Sequence, residues 1–168
     1  LGAKVMQPAS IQDAKLNKVK IDVKSSFTNK TGTQIIGRKK IKDTNIIRGV
    51  SFTKNDAKVS LLGVKDKPGV AAAIFEPLYK NSVNVDMVVQ NISSDGKETD
   101  LTFTIKSDDL LKTKRLISKN KKIKFKKLIV DKNVAKVSIV GVGMITTPGV
   151  TYRMFRALAN KKINILVI

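Results

Sequence analysis

The sequence predicts an α+β protein built from two tandem modules of one kind, of which the second is incomplete. The main observation is an internal repeat: KVSLLGVKDKPGVAAAIFEPLYKNSVNVDMV at residues 58–88 returns as KVSIVGVGMITTPGVTYRMFRALANKKINILVI at residues 136–168. Aligning Pro68 with Pro148 makes the second loop two residues longer than the first. Each copy has the pattern strand, glycine turn, helix, strand, and only the first copy is followed by a further strand, helix and strand. Two copies of one supersecondary unit follow from this repetition.

The segment before the repeat has too little apolar surface to fold alone. Apolar spacing predicts a helix after Pro8 and a strand at 21–27, followed by a turn. We therefore predict that residues 1–37 are the end of a larger domain. The polar and basic residues 38–48 have no clean period and are typical of a linker.

The first module is predicted to begin with a buried strand at 57–64 that ends in a glycine turn. Asp66 is suited to cap the helix that follows, and Pro68 to stand in its first turn. Pro77 lies inside this helix and should kink or shorten its last turn. The residues predicted to face the core at helical spacing are Val70, Ile74, Phe75 and Leu78.

The rest of the first module follows as a hairpin, a helix and a strand. Strands at 83–92 and 99–105 flank the turn sequence SSDGK, and Ser107 is suited to cap the second helix. A last strand is predicted at 123–130. The resulting order βαββαβ, over residues 49–131, predicts a ferredoxin-like sandwich of one antiparallel sheet and two helices.

The second module, residues 132–168, repeats only the first half of this order. A strand is predicted at 135–142, a helix at 149–161 and a strand at 163–168. Without the second half, a sheet edge stays unpaired, so this module should be completed by another chain or be marginally stable. The helix residues predicted to face inward are Val150, Met154, Phe155 and Leu158.

The composition excludes several classes of function. The chain has no cysteine and no histidine, so disulfides and catalysis by a thiolate or an imidazole are excluded. The formal net charge of +20 suggests a nucleic-acid partner, but lysine supplies nearly all of it and arginine is scarce. A solvated lysine surface is therefore favoured over a nucleic-acid interface. No apolar run approaches the roughly 20 residues of a membrane span, and a cytoplasmic location is expected.

Two loops could hold a small anion. Loops 64–69 and 141–149 each join a strand to a helix start, where backbone N–H groups and the helix dipole attract negative charge. Gly69 and Gly149 lack side chains, so the carboxylate of a free amino acid could approach the backbone closely. The alternative is that these residues only form a cap and a turn. The side chains that could bind the ammonium group of such a ligand are Asp66, Asn84, Asp86 and Asn164.

Catalytic signals are weak. Asp86 and Asp100 are carboxylates on neighbouring strands, and we interpret both as solvated because nothing nearby perturbs them. No glycine-rich nucleotide loop and no nucleophile elbow occurs in the sequence. Lys4, beside a glycine, could contact a phosphate but is not informative alone.

Several motifs resemble the aspartokinase family, in the same order along the chain. LGAKVMQPASIQDAKLNKVKIDVKSSFTNKTGTQI is similar to the end of an aspartokinase catalytic domain. KVSLLGVKDKPGVAAAIFEPL, NVDMVVQNISSDGKETDLTFTI and KVSIVGVGMITTPGVTYRMFRAL resemble its paired ACT regulatory domains. The resemblance implies a remnant of an amino-acid kinase domain at 1–37, a complete ACT domain at 49–131 and half of a second at 132–168, truncated at both ends.

This family transfers phosphate from ATP to L-aspartate in lysine, threonine and methionine biosynthesis. The resemblance implies that lysine or threonine inhibits by binding the ACT domains. ATP and magnesium would serve the complete enzyme, and only Lys4 matches a family contact to ATP. The chain is therefore expected to be inactive alone, with no catalytic residue, metal or cofactor of its own, and whether it should be called an enzyme stays open.

The effector site implied by the resemblance lies between paired ACT units. Effector binding would be coupled to homodimerisation or to pairing with a catalytic aspartokinase chain, and the identity of the effector stays open. The implied residues of the first module are Asp66, Lys67, Pro68, Gly69, Val70, Ala71, Asn84, Val85, Asp86 and Gln90. Those of the second are Val150, Thr151, Asn164 and Ile165.

Two other hypotheses stand beside this one. The chain could be a free-standing ACT-type module that binds an amino acid and regulates an unrelated enzyme. Less favoured is a basic protein that binds nucleic acid, whose affinity would depend steeply on salt concentration.

Overall fold

The computed structural model describes residues 5–36, 46–93, 96–141 and 147–168. Helices are combined with antiparallel strands, as expected for an α+β protein. Their bounds are α1 Pro8–Leu16, β1 Ile21–Val23, β2 Thr33–Ile35, β3 Gly49–Lys65, α2 Val70–Lys80, β4 Val85–Ile92, β5 Glu98–Lys106, α3 Leu110–Lys119, β6 Lys127–Val140 and α4 Val150–Asn160.

The chain divides into two compact units, residues 1–51 with 139–150 and residues 52–138 with 151–168. In the first unit, α1 has no buried residue, and β1 pairs antiparallel with β2. The short strand β2 is absent from the predicted elements because its three residues, TQI, carry no alternating pattern. The domain boundaries predicted from the sequence stay predictions.

The second unit contains the βαββαβ arrangement predicted for the first module. Its strands lie in the order β4-β5-β3-β6, and β5 is antiparallel to both β3 and β4. The ferredoxin-like prediction is therefore confirmed. The buried core residues from the strands are Ala57, Val59, Leu61, Val64, Leu101, Phe103 and Ile105, and those from the helices are Val70, Ile74, Leu78, Leu110 and Ile117.

Two strands of this sheet are longer than predicted. The prediction of two separate strands, at 123–130 and 135–142, is wrong, because Lys127–Val140 is one continuous strand next to β3. β3 begins at Gly49, well before the predicted residue 57. Neighbouring long strands provide hydrogen-bond partners for each other's backbone groups, and this outweighs the weak strand propensity of Asp-Lys-Asn in the middle of β6.

The start of α2 also differs from the prediction. Val70 is its first residue, and Gly69 precedes it with φ 87° and ψ −7°. The Val70 N–H donates to the Lys67 carbonyl at 3.2 Å, so Pro68 and Gly69 are the central residues of a type II turn. Proline presets φ at the first central position and glycine accepts positive φ at the second. Asp66 is therefore not the helix cap, and Pro68 lies before the helix.

Ser107 does not cap α3. It begins a 3₁₀ turn, Ser107–Asp109, and Asp109 precedes α3 without a side-chain capping bond. Such turns are common at helix starts, and the two carboxylates of Asp108 and Asp109 still complement the helix dipole.

Pro77 does not shorten α2, which continues to Lys80. Proline has no N–H to donate to the Ala73 carbonyl, four residues earlier in the helix. Asn120, at the end of α3, donates its side-chain amide to that carbonyl at 2.9 Å. A residue from the neighbouring helix thus replaces the hydrogen bond that the proline removes.

The second module shows the predicted helix as α4, but its predicted last strand is wrong. Residues 163–168 have no regular secondary structure. A strand needs a neighbouring strand for its backbone groups, and the described part of the chain supplies none to this segment. Val150 of α4 is buried, whereas Met154, Phe155 and Leu158 are half-buried.

Candidate functional site

The turn before α2 exposes backbone at the start of the helix. Residues 66–69 are exposed, whereas Val70 is buried and Ala71 is half-buried. The Asp66 N–H donates to the Lys97 carbonyl at 3.0 Å, which ties the turn to the neighbouring hairpin. A Cβ atom added at Gly69 would meet nothing within 4 Å. The first turn of α2 therefore faces open space, an arrangement that suits an anion.

The turn before α4 repeats this conformation. Gly149 has φ 84°, and a Cβ atom there would also meet nothing within 4 Å. Val150 is buried, as Val70 is at the aligned position, whereas Thr151 is exposed and Ala71 is half-buried. Of the other predicted residues in this copy, Asn164 is exposed and Ile165 is half-buried.

A second group of predicted site residues lies at and near the start of β4. Asn84, Asp86 and Gln90 are exposed, and Val85 is half-buried. A register shift between Val85 and Val88 breaks the alternation of side chains along β4, so the even spacing of Asp86 and Gln90 does not put them on one face. Gln90 is paired with the core residue Leu101. The Asp86 carboxylate forms an ion pair with the ammonium group of Lys136 from β6.

The strand register places the turn before α2 and the start of β4 at opposite ends of the sheet, with Gln90 between them. Val85 is paired with Ile105, which is in turn paired with Ala57, whereas Lys65 is paired with Glu98. Ala57 and Lys65 are eight residues apart in number (65 − 57), which is roughly 26 Å along a strand. One free amino acid therefore cannot contact both the turn before α2 and the start of β4 within one module.

A buried carboxylate, Asp56, precedes the core residue Ala57 in β3, so it lies on the sheet face opposite the helices, and it is absent from the predicted site residues. It is 3% exposed, accepts a 2.7 Å bond from Lys106 Nζ and accepts another from the Thr53 hydroxyl. Burial raises the pKa of Asp56, but the bonds from Lys106 and Thr53 and the charges of Lys106 and Lys136 together lower the pKa below its ordinary value. The only signal in the sequence is an acidic residue beside a buried strand, which does not distinguish a buried carboxylate from a solvated one.

Asp100 has a structural role. Its carboxylate accepts the Gly63 N–H at 2.8 Å, at an irregularity in the pairing of β3 with β5. Asn91, not Asp86, lies opposite Asp100, so the structure does not bring these two carboxylates together. Among the described residues, no group of three or more acidic side chains could hold a metal ion. Lys4 lies outside the described residues.

A known protein family matches a range in each of the two modules. Residues 59–120 and 137–168 match a family model described as ACT domain. The chain is 44% identical over 172 residues to an aspartokinase of Helicobacter pylori, covering 100% of this chain and 42% of that protein. It is 40% identical over 170 residues to an aspartate kinase of Pseudomonas fluorescens, covering 100% of this chain and 41% of that protein. The chain thus spans less than half the length of the curated relatives it matches.

Solved structures show the same relationship. The regulatory subunit of aspartate kinase from Thermus thermophilus, in its ligand-free form, is 33% identical with a TM-score of 0.67, over 74% of this chain and 82% of that one. A structure of aspartokinase alpha and beta subunits is 36% identical with a TM-score of 0.65, over 73% of this chain and 80% of that one. Within the described residues, no helix has the length and apolar character needed to cross a membrane. The chain belongs to the aspartokinase family, as the regulatory ACT-domain region of an aspartokinase.

Proposed function

We propose that this chain binds a free amino acid, lysine or threonine, and through that binding regulates a cytoplasmic aspartokinase in the biosynthesis of these amino acids. The observation that carries the proposal is the exposed type II turn before α2, with open space at Gly69 in front of the helix start. A helix start binds negative charge through backbone N–H groups and the helix dipole. The carboxylate of an amino acid supplies that charge in a form small enough to reach the backbone.

The distance between the two groups of site residues supports a site that two modules share. The turn before α2 of one module would hold the carboxylate of the effector. The start of β4 from another module would present Asp86 to its ammonium group. The turn before α4, with Thr151, would act in the same way in the second copy. Effector binding would then promote dimerisation, because neither half of the site suffices alone.

The second module supplies a further reason for assembly. The apolar side of α4 is only half-buried in the described part of the chain, so a partner would complete its core. A related structure contains aspartokinase alpha and beta subunits, which supports a homodimer or a pair with a catalytic aspartokinase chain as part of this proposal.

Regulation would follow from a shift between two assemblies. An effector that binds one arrangement of the paired modules more tightly raises the population of that arrangement. In the complete enzyme, phosphate transfer from ATP to L-aspartate would depend on which arrangement is populated. Lys4 would contribute a contact to ATP in that enzyme, with magnesium, and the chain alone would transfer no phosphate.

Calorimetric titration of the full chain with L-lysine and L-threonine tests the proposal. We expect saturable heat with at least one of them and none with its D-enantiomer, which has the same charges in a mirrored arrangement. Light scattering should show an increase in mass on binding. Absence of heat with both L-amino acids, together with a steeply salt-dependent affinity for DNA, would favour the nucleic-acid hypothesis instead.

A matched pair of substitutions tests the position of the carboxylate. Because Gly69 has φ 87°, any side chain there is strained, so Gly69→Asn serves as the control for Gly69→Asp. The two side chains have nearly the same shape, and only aspartate adds a negative charge. We expect Gly69→Asp to bind the effector at least about tenfold more weakly than Gly69→Asn, or about 1.4 kcal/mol. Equal affinity of the two variants, both folded by circular dichroism, would place the carboxylate elsewhere.

A further inference from the structure

The carboxylate proposed to bind the ammonium group of the effector already has a partner within the chain. Lys136, on β6, forms an ion pair with Asp86, with side chains 31% and 53% exposed respectively. A lysine ammonium group and the ammonium group of a free amino acid are equivalent donors, each with one positive charge. The two groups therefore compete for the same carboxylate.

The other charges on this sheet face determine what happens to Lys136 when Asp86 is taken by a ligand. Asp56 is close enough that the positive charge of Lys136 acts on it. Asp56 is itself held by Lys106 at 2.7 Å. Removal of Lys136 therefore leaves the Asp56–Lys106 pair in place and deprives Asp86 of its cation. Displacement of Lys136 by a ligand, in contrast, leaves its ammonium group within the influence of Asp56.

On the basis of the proposed function, we propose that Lys136 is an internal competitor that sets the effector affinity of the Asp86 end of the site. The ammonium group of the effector binds Asp86 by exchange with the ammonium group of Lys136. A carboxylic acid without an ammonium group offers no cation for this exchange, and so leaves the Lys136–Asp86 pair intact. The pair thus lowers the affinity for ligands whose ammonium group binds Asp86, and it does not change the affinity for ligands without an ammonium group.

Four forms of the full chain test this competition by calorimetric titration with L-lysine and with L-threonine. Lys136→Met removes the competitor, and we expect roughly two- to fivefold tighter binding, the range that an exposed ion pair accounts for. Lys136→Arg keeps a cation and should bind as the wild type does. Lys58→Met is the charge-matched control, because Lys58 lies two residues after Asp56 on the same face of β3.

A double-mutant cycle separates competition from a structural effect. Asp86→Asn should weaken binding, and Lys136→Met should have no further effect on affinity in the Asp86→Asn background. A merely structural role for Lys136 would alter affinity equally with and without Asp86. Circular dichroism and thermal melting of each variant establish that it is folded.

The outcomes distinguish this inference from the function on which it rests. Tighter binding of Lys136→Met, with Lys58→Met unchanged, supports the competition. Wild-type binding together with equal or weaker binding by Lys136→Met overturns the competition and leaves the proposed function standing. Absence of binding of either amino acid to the wild type and to every variant overturns both.

Discussion

The two copies of the module share a turn and a helix but differ in how far the helix is buried. The turns are nearly identical, with φ 87° at Gly69 and φ 84° at Gly149. The helices are not, because Leu78 of α2 is 1% exposed, whereas Leu158 at the aligned position of α4 is half-buried.

This difference separates what a local sequence determines from what a fold determines. A Pro-Gly pair presets the dihedral angles of its own turn, so both copies form it without help from distant residues. Burial of a helix face needs a sheet and a second helix to cover it. The first copy has β4, β5 and α3 for this purpose, and the second has no counterpart of them within the described residues.

The largest expected effect is a difference in stability between matched leucine substitutions. Leu78→Ala removes a fully buried side chain and should lower the free energy of unfolding by about 2–5 kcal/mol. Leu158→Ala removes a side chain that is still partly in water and should cost about 1 kcal/mol or less. Urea denaturation followed by circular dichroism measures both costs.

The control for this pair is the slope of the denaturation curve. If both variants keep the wild-type slope, the change in midpoint reports stability alone. Equal costs at the two positions would mean that α4 is covered as fully as α2, as it would be in a dimer. Repeating the measurement over a range of protein concentrations detects that case, because the stability of a dimer depends on concentration.

The second expected effect concerns Pro77, for which the second copy has Ala157. Asn120 donates to the Ala73 carbonyl that Pro77 leaves without a helix partner. Asn120→Ala should therefore lower the free energy of unfolding by about 1–3 kcal/mol. In a Pro77→Ala background, the helix regains its own N–H donor, and the cost of Asn120→Ala should fall by about 1 kcal/mol or more.

Asn81→Ala is the matched control for this cycle. Asn81 also donates its amide to a backbone carbonyl of α2, that of Pro77, but in an exposed position. Its loss should cost about 0.5 kcal/mol or less in either background, because water replaces the donor. An undiminished cost of Asn120→Ala in the Pro77→Ala background would show that Asn120 acts through other contacts.

The fold was predictable from the sequence where the signal is local. The hairpin of β4 and β5 follows from alternation within each strand and from a turn sequence between them. The continuity of β6 does not, because Asp-Lys-Asn resembles a turn until a neighbouring strand pairs with it. The continuation of α2 past Pro77 depends on Asn120. This residue is distant in sequence, so no local pattern predicts its contact with the helix.

The candidate site was predictable to the same extent. The exposed glycine at the start of each helix follows from the motif Pro-Gly-Val. The separation of Asp86 from the turn before α2 follows from the order of strands and helices, since parallel β3 and β4 begin at the same end of the sheet. The pairing of Asp86 with Lys136 could not be predicted, because the two residues are 50 positions apart and lysine is abundant throughout the chain.

The smallest expected effect appears only in acid and concerns Asp56, where the second copy has Val134. Burial raises the pKa of Asp56, but the bonds from Lys106 and Thr53 and the nearby lysine charges bring the pKa below its ordinary value of 3.8. A carboxyl group whose pKa is lower in the folded state stabilises the fold above its unfolded pKa, and that contribution is lost as pH falls through the folded value. The free energy of unfolding should therefore fall more steeply below about pH 4 in the wild type than in Asp56→Asn.

Urea denaturation at a series of pH values measures both slopes. Lys106→Met removes one cause of the low pKa of Asp56, so in this variant the loss of stability should begin at higher pH. Parallel pH profiles of the wild type and Asp56→Asn would mean that the Asp56–Lys106 pair contributes nothing to stability.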